Sequence, residues 1–271
     1  YCGRRVVVKW SHLKHGCFIL LLSAMLSACS KPEADNVPLP EDADSHNPQA
    51  AVYNVQLGIG YLREGNITRA KTKLLLAQSQ DPTSPDVWDA LAFFYESTGN
   101  DTLADRYYLK AISLDSKRGS SLNNYGVYLC KKGQYRQSLT YFSQAVADPA
   151  YVNVASTYEN AGLCAEEIPD MATAQKFFIL ALDNNPVLST STLELAEINF
   201  ENGKFDLASK YLQRYNQLAK PTSESLWLDL RLAQQAKDKQ KVAADATLLA
   251  DNFPDSDEYK QAKLSGLIPS Q

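Results

Sequence analysis

Histidine is missing from most of this sequence: His12, His15 and His46 all lie within the first 46 residues. The rest of the chain therefore lacks the side chain that most often serves as a general base or zinc ligand. Cysteine is also scarce, because only Cys130 and Cys164 lie beyond residue 29 and they form no CxxC motif. These shortages argue against a metal centre and against an enzyme, and the sequence implies no cofactor.

Acidic side chains are absent from the start of the chain. Residues 1–28 hold four basic side chains and no acidic one, whereas the 271 residues together hold 27 basic and 31 acidic side chains. Residues 29–271 therefore have a net charge of −8. An acidic body argues against binding nucleic acid or anionic lipid through charge.

The basic start is followed by a short apolar run, CFILLLSAML at residues 17–26. This run is too short to span a bilayer as a helix of the mature protein. Basic, apolar and then small residues, in this order, are typical of a signal peptide. We therefore expect residues 1–28 to be a signal peptide.

The four residues Leu26–Cys29 (LSAC) resemble the lipobox of bacterial lipoproteins, an aliphatic residue and two small ones before the cysteine. Small residues admit the chain to the signal peptidase, and the Cys29 thiol is the acyl acceptor. The resemblance predicts a lipid-anchored protein. Because Ser30 replaces the aspartate that retains such proteins in the inner membrane, it points to the outer membrane, facing the periplasm. The alternative is a plain secretory signal that happens to contain a cysteine.

Residues 29–50 contain four prolines and five acidic side chains among few apolar ones. Such a composition cannot bury a core, so we expect an extended, disordered tether. At about 3.1 Å per residue, the tether could hold the following domain up to roughly 60 Å from the lipid.

A pattern with a 34-residue period fills residues 51–222, with one slip of two residues before its fourth copy. Small residues recur in phase: Gly58, Ala70 and Ala77; Ala92, Ala104 and Ala111; Gly126, Ser138 and Ala145; Gly162, Ala174 and Ala181; Ala196 and Ala208. This is the period and pattern of the tetratricopeptide repeat. An ordinary helical bundle does not require small residues in phase.

Each copy predicts two amphipathic helices, which in the second copy are Pro85–Ser97 and Asp101–Leu114. One helix pair cannot cover its own apolar surface, so neighbouring pairs must stack into a solenoid with a concave groove. Residues 223–271 keep a helix-turn-helix outline but place Arg231 where a small residue is expected. We therefore predict an all-α superhelical solenoid of about six repeats, with residues 223–271 forming a degenerate capping repeat and a tail.

The lipobox, the acidic tether and three segments, LGIGYLREGN, LNNYGVYLCKKGQY and LWLDLRLA, occur in the order that resembles the type IV pilus biogenesis pilotins. These are outer-membrane tetratricopeptide lipoproteins. The resemblance implies a non-catalytic scaffold that binds the secretin subunit and promotes its outer-membrane localisation and multimerisation. Ser138 in place of alanine and the extra residues near 148–153 depart from the pattern and concern local helix geometry.

Two other functions remain open. One is a different periplasmic repeat lipoprotein that serves β-barrel assembly or peptidoglycan enzymes. The other is a receptor for chaperone tails, but its carboxylate clamp needs lysine and asparagine where this chain has Val55 and Ile59. Nothing in the sequence predicts a nucleic-acid partner or a small-molecule substrate.

Residues two, five, nine and twelve places into the first helix of such a repeat face the groove. In the first repeat these residues are all apolar, and Phe93 of the second repeat extends them. We call this set the apolar strip: Val52, Val55, Ile59, Leu62 and Phe93. Exposed apolar side chains in a polar groove predict a partner-binding site. The alternative is that the tether folds back over the strip.

Cys130 and Cys164 fall late in the first helices of the third and fourth repeats. Those helices should stack side by side, and the periplasm is oxidising. We therefore predict a disulfide between the two residues; the alternative is a pair of buried thiols.

Overall fold

The computed structural model describes residues 46–168 and 171–268. The predicted signal peptide, Cys29 and most of the tether lie outside these residues. The regular structure of the described residues is a series of α-helices: α1 Pro48–Arg63, α2 Ile67–Gln80, α3 Pro85–Ser97, α4 Asp101–Leu114, α5 Gly119–Lys131, α6 Tyr135–Ala145, α7 Val154–Ala165, α8 Met171–Asn184, α9 Ser189–Glu201, α10 Phe205–Leu218, α11 Ser223–Gln235, α12 Lys239–Asn252 and α13 Asp257–Leu264.

The helices α1 to α12 form six pairs, and each odd-numbered helix packs against the even-numbered helix that follows it. Each pair then stacks on the next, because the odd-numbered helices of neighbouring repeats also touch. This is the predicted all-α tetratricopeptide solenoid, and the bounds of α3 and α4 are those read from the sequence. At the start of the chain, α1 begins at Pro48, so residues 48–50 belong to this helix and not to the tether.

The small residues of the pattern mark places where two helices approach closely. A Cβ atom added to Gly58 would lie 2.6 Å from the Leu74 side chain, and one added to Gly162 would lie 2.6 Å from Phe178. No side chain fits at such distances, so glycine permits the helix pair to close. The large partner fills the space instead, and Leu74 and Phe178 are fully buried.

The turn inside most repeats uses a backbone conformation that favours glycine. Gly65, Gly99, Gly133 and Gly203 have φ angles of 71–79° at the same place in their repeats. In the sixth repeat Lys237 occupies this place with φ 58°. The left-handed conformation is strained for a residue with a Cβ atom, so the sixth repeat folds this turn at a cost.

The connection between the third and fourth repeats absorbs the two-residue slip. The helix α6 ends at Ala145, and the chain reaches α7 only at Val154. The Asp148 carboxylate accepts hydrogen bonds from the backbone N–H groups of Gly119 and Ala150, both at 2.9 Å. These donors lower the pKa of Asp148. The longer loop is therefore pinned to the start of α5.

The sixth repeat corrects one assignment made from the pattern. Leu230, not Arg231, occupies the place of the small residue, and Leu230 is fully buried. The larger side chain is accommodated in a core shared with α12 and the C-terminal segment, which contributes Ala262 of α13 and Ile268. Arg231 is one residue further on and belongs to the groove.

Candidate functional site

The apolar strip lies at one end of the solenoid and is only partly open to solvent. Val52 is 48% exposed and Phe93 is 39% exposed. Val55, Ile59 and Leu62 are partly buried and pack against the core of the first repeats. Val52 and Phe93 are therefore the members of the strip that an incoming partner can reach most readily.

Helix α1 carries a second exposed apolar stripe, which lies outside the groove positions. Tyr53 is 58% exposed and Leu57 is 48% exposed. These residues occupy the third and seventh places of the repeat, where the first helix packs against the preceding repeat. Their counterparts in the second repeat, Val87 and Leu91, are at most 2% exposed. The 34-residue period contains this signal, because the repeat pattern begins at residue 51 and no earlier described repeat covers these places.

Polar side chains join the middle repeats along the groove through three hydrogen bonds of one kind. In each, a hydroxyl at the third place of a repeat donates to an oxygen at the fifth place of the repeat before it. The bonds are Ser121 Oγ to Asp89 Oδ2 at 2.6 Å, Thr157 Oγ1 to Asn123 Oδ1 at 3.0 Å, and Ser191 Oγ to Glu159 Oε2 at 2.8 Å. We call these bonds the polar rungs. They occupy the floor of the middle groove with contacts between repeats.

Asp89 is the most perturbed member of the polar rungs. It is 7% exposed, and burial raises its pKa to about 6. The hydrogen bond from Ser121 works in the opposite direction, and the neighbouring charge of Asp86 adds to the rise. Above pH 6 the chain therefore holds a poorly solvated carboxylate beside the apolar strip.

The far end of the groove is closed by a charged cluster around Arg231. The Arg231 guanidinium pairs with Glu197 and, at 2.9 Å, with Glu201. It also lies 4.4 Å from the ring centroid of Phe200 and 5.3 Å from that of Trp227. The charge of Arg231 is thus balanced by Glu197 and Glu201 within the chain, beside two aromatic rings.

The two cysteines lie where the stacking of first helices brings them together. The structure places a disulfide between Cys130 of α5 and Cys164 of α7, with Cα atoms 5.8 Å apart. This separation lies within the range that a disulfide spans. The bond joins the third and fourth repeats, across the longest inter-repeat loop.

Within residues 46–168 and 171–268, no three His, Cys, Asp or Glu side chains cluster as metal ligands would. No helix in the same ranges is both long and apolar enough to cross a bilayer.

Comparisons with known proteins agree with this architecture. A family model described as tetratricopeptide repeat matches residues 85–118. The type IV pilus assembly protein PilF of Pseudomonas aeruginosa is 30% identical over 243 residues, which cover 90% of this chain and 95% of that protein. An uncharacterized protein of Haemophilus influenzae is 34% identical over 156 residues, covering 57% of this chain and 87% of that protein.

Two solved structures are similar to most of the solenoid. The structure of P. aeruginosa PilF matches with a TM-score of 0.74 at 30% identity, over 80% of this chain and 97% of that one. PilW, described as a widely conserved type IV pilus biogenesis factor, matches with a TM-score of 0.71 at 24% identity, over 80% of this chain and all of PilW. The second likeness supports the fold.

Proposed function

This chain belongs to the type IV pilus biogenesis family of tetratricopeptide-repeat proteins, and we propose that it acts as a pilotin. In this role it binds the secretin subunit and promotes its localisation and multimerisation in the outer membrane. Cys29 carries the acyl chains that hold it there, facing the periplasm. The protein performs no catalysis, and its partner is another protein of the pilus machinery.

The observation that carries this proposal is the apolar strip at the start of the groove. Val52 and Phe93 are exposed, whereas the middle groove is occupied by the polar rungs and the far end by the Arg231 cluster. The start of the groove is thus the part where exposed apolar side chains are available to contact a partner. An amphipathic helix or an extended segment of the secretin would bury them.

The sharpest test replaces the most exposed members of the strip. Val52→Asp and Phe93→Asp should abolish secretin multimers in outer-membrane fractions while the helical circular dichroism stays unchanged. Val55→Asp and Ile59→Asp should also abolish them. Because these two side chains pack against the core, unfolding of these variants would show that this part of the strip belongs to the core. Leu248→Asp is the matched control, because Leu248 is 47% exposed on α12, far along the chain from the strip.

The outcomes separate the candidate functions. Folded Val52→Asp protein that still assembles the secretin would place the binding surface elsewhere. Deletion of the protein should remove secretin multimers and surface pili while β-barrel proteins stay normal. Defective barrel insertion or peptidoglycan processing with normal secretin would instead favour another periplasmic adaptor.

The lipid anchor has its own test. One acyl chain gives marginal anchoring, whereas the several chains of a mature bacterial lipoprotein give stable residence. Metabolic labelling with a palmitate analogue should therefore mark the wild-type protein, and Cys29→Ser should remove the label. An unlabelled wild-type protein overturns the anchor without touching the fold.

A further inference from the structure

The open end of the solenoid combines apolar and basic side chains on one surface. Tyr53, Leu57 and Tyr61 follow one another at intervals of four residues, and so share one side of α1. The Arg69 guanidinium of α2 lies 5.7 Å from the ring centroid of Tyr61, which places Arg69 on the same surface. Lys73 follows Arg69 by one helical turn. We call these five residues the end face.

The end face is exposed because no described repeat stacks on the first one. The third, seventh and eleventh places of repeats two to five are all buried, with at most 6% of each residue exposed. In the first repeat the same places are held by Tyr53 at 58%, Leu57 at 48% and the partly buried Tyr61. Tyrosine and leucine remain exposed here only because nothing within the described chain stacks on them.

Charge is distributed unevenly along the solenoid. Residues 47–80 contain four basic side chains and one acidic one, whereas residues 81–271 contain 18 basic and 25 acidic side chains. The net charge of −8 for the mature body therefore conceals a first repeat of +3. At physiological ionic strength the Debye length is about 8 Å, so the acidic repeats further along are largely screened from a surface that meets the end face.

We propose that the end face rests against an anionic phospholipid surface, with Tyr53 and Leu57 at the headgroup level and Arg69 and Lys73 against the phosphates. Exposed tyrosine and leucine beside lysine and arginine are the side chains that favour a membrane interface. The location rests on the proposed lipid anchor at Cys29, which lies 19 residues before the start of α1 at Pro48. Contact at this face would set the direction in which the groove points.

The same charges argue against a second copy of the chain as the occupant. Two end faces related by a two-fold axis would bring together two first repeats that each carry a net charge of +3. Like charges placed opposite one another oppose such a pair. An anionic surface has the complementary sign.

Residues 39–271 allow the test without the acyl anchor or the apolar run. The described residues in this range form one compact unit, which contains every described helix. The solved PilF chain corresponds to 80% of this chain, so that relative folds without a counterpart of the remaining residues. This fragment should sediment with phosphatidylglycerol vesicles at 50 mM salt, and not with phosphatidylcholine vesicles or at 500 mM salt.

The variant that tests the face is Arg69→Gln with Lys73→Gln. Each basic side chain near an anionic surface contributes about fivefold in affinity, so the pair should weaken binding about 30-fold. The matched control is Arg106→Gln with Lys110→Gln, which removes the same charge at the same spacing from α4, where Lys110 likewise lies over an aromatic ring. The control should bind within about twofold of the unchanged fragment.

Two results overturn the proposal. One is a fragment that does not bind phosphatidylglycerol vesicles at low salt, which would leave the end face to an acidic segment of a protein partner. The other is an equal loss in both double variants, which would mean that net charge alone governs binding. Neither result bears on secretin assembly, which the Val52 and Phe93 variants test separately.

Discussion

The first and sixth repeats both end the solenoid, but among the described residues only the sixth repeat is covered. There, Ala262 and Ile268 of the C-terminal segment are buried against Leu226 and Leu230 of α11. At the other end, Tyr53 and Leu57 stay about half exposed. Within residues 46–268, described segments therefore cover the last stacking face, and none covers the first. Exposed apolar area is costly in water, so the exposed apolar side chains of the first repeat indicate an interaction surface.

The groove shows the same contrast. In the last repeats the Arg231 guanidinium lies near the Phe200 and Trp227 rings and pairs with two glutamates, so its charge is balanced within the chain. In the first repeat the groove presents valine, isoleucine and leucine side chains. The groove of the last repeats is therefore occupied by contacts within the chain, whereas the groove of the first repeat offers apolar side chains to a partner.

The largest expected effect comes from removing the covalent link between the first three repeats and the last three. The Cys130–Cys164 disulfide closes a loop across the third and fourth repeats. Replacing both residues by serine should lower the free energy of unfolding by roughly 3–4 kcal/mol in the chain-entropy model. Urea denaturation measures the loss, and each half should then unfold more independently. Both cysteines should resist alkylation in unreduced wild-type protein, and labelling of both would refute the bond.

A leucine truncation at each end compares them directly. Leu230→Ala should cost about 3 kcal/mol, because Leu230 is fully buried under the C-terminal segment. Leu57→Ala should cost less than about 1 kcal/mol, because the side chain is already half exposed. Chemical denaturation of both variants checks the difference. Equal losses would mean that the first repeat is covered in solution.

The pH dependence of stability at the interface between the second and third repeats can be tested through Asp89. Because its folded pKa is about 6, the folded chain holds a proton between pH 4 and 6 that the unfolded carboxyl, with a pKa of about 3.9, has released. The free energy of unfolding therefore falls as the pH rises through this window, and the cost is fully present above pH 6. Asp89→Asn should remove this fall and stabilise the protein by about 2 kcal/mol at pH 7.5.

The Asp89 comparison has a built-in reference. Asn123 already accepts the equivalent hydrogen bond from Thr157 in the next repeat. An asparagine at position 89 can accept from Ser121 in the same way. Denaturation at pH 4 and pH 7.5 gives the two values, and a variant with the wild-type pH dependence would show that another group is responsible.

The smallest expected effect lies in the turn of the sixth repeat. Lys237→Gly should raise the free energy of unfolding by about 0.5–1 kcal/mol, because glycine adopts the φ angle of 58° without strain. Ala substitution at Gly99, which has φ 79°, should act in the opposite direction. Thermal or urea unfolding of the two variants gives the signs, and a destabilised Lys237→Gly protein would contradict the strain.

The fold could be read from the sequence because its signals are local and repeat. Pro85 begins a helix and Gly99 turns the chain, so the bounds of α3 and α4 follow from neighbouring residues. The same method failed where the pattern degenerates. In the sixth repeat Leu230 replaces a small residue, and without that landmark the repeat was displaced by one position onto Arg231.

The site could be predicted only in part. The groove positions identified Val52 and Phe93, which the structure leaves exposed. They could not show that Val55 and Ile59 pack against the core, because that depends on how closely α1 approaches its neighbours. Tyr53 and Leu57 were missed because their exposure comes from the absence of a preceding repeat and not from any property of the residues themselves.

The polar rungs bear on how such a chain can evolve. Ser121, Thr157 and Ser191 all offer a hydroxyl, and each can serve any of the three acceptors that precede them. Unequal recombination that adds or deletes one middle repeat would therefore leave every rung paired. The same event at either terminus would expose a buried stacking face or remove a specialised surface. The rungs alone therefore do not fix the number of middle repeats, whereas the Cys130–Cys164 disulfide requires the third and fourth repeats to stay neighbours.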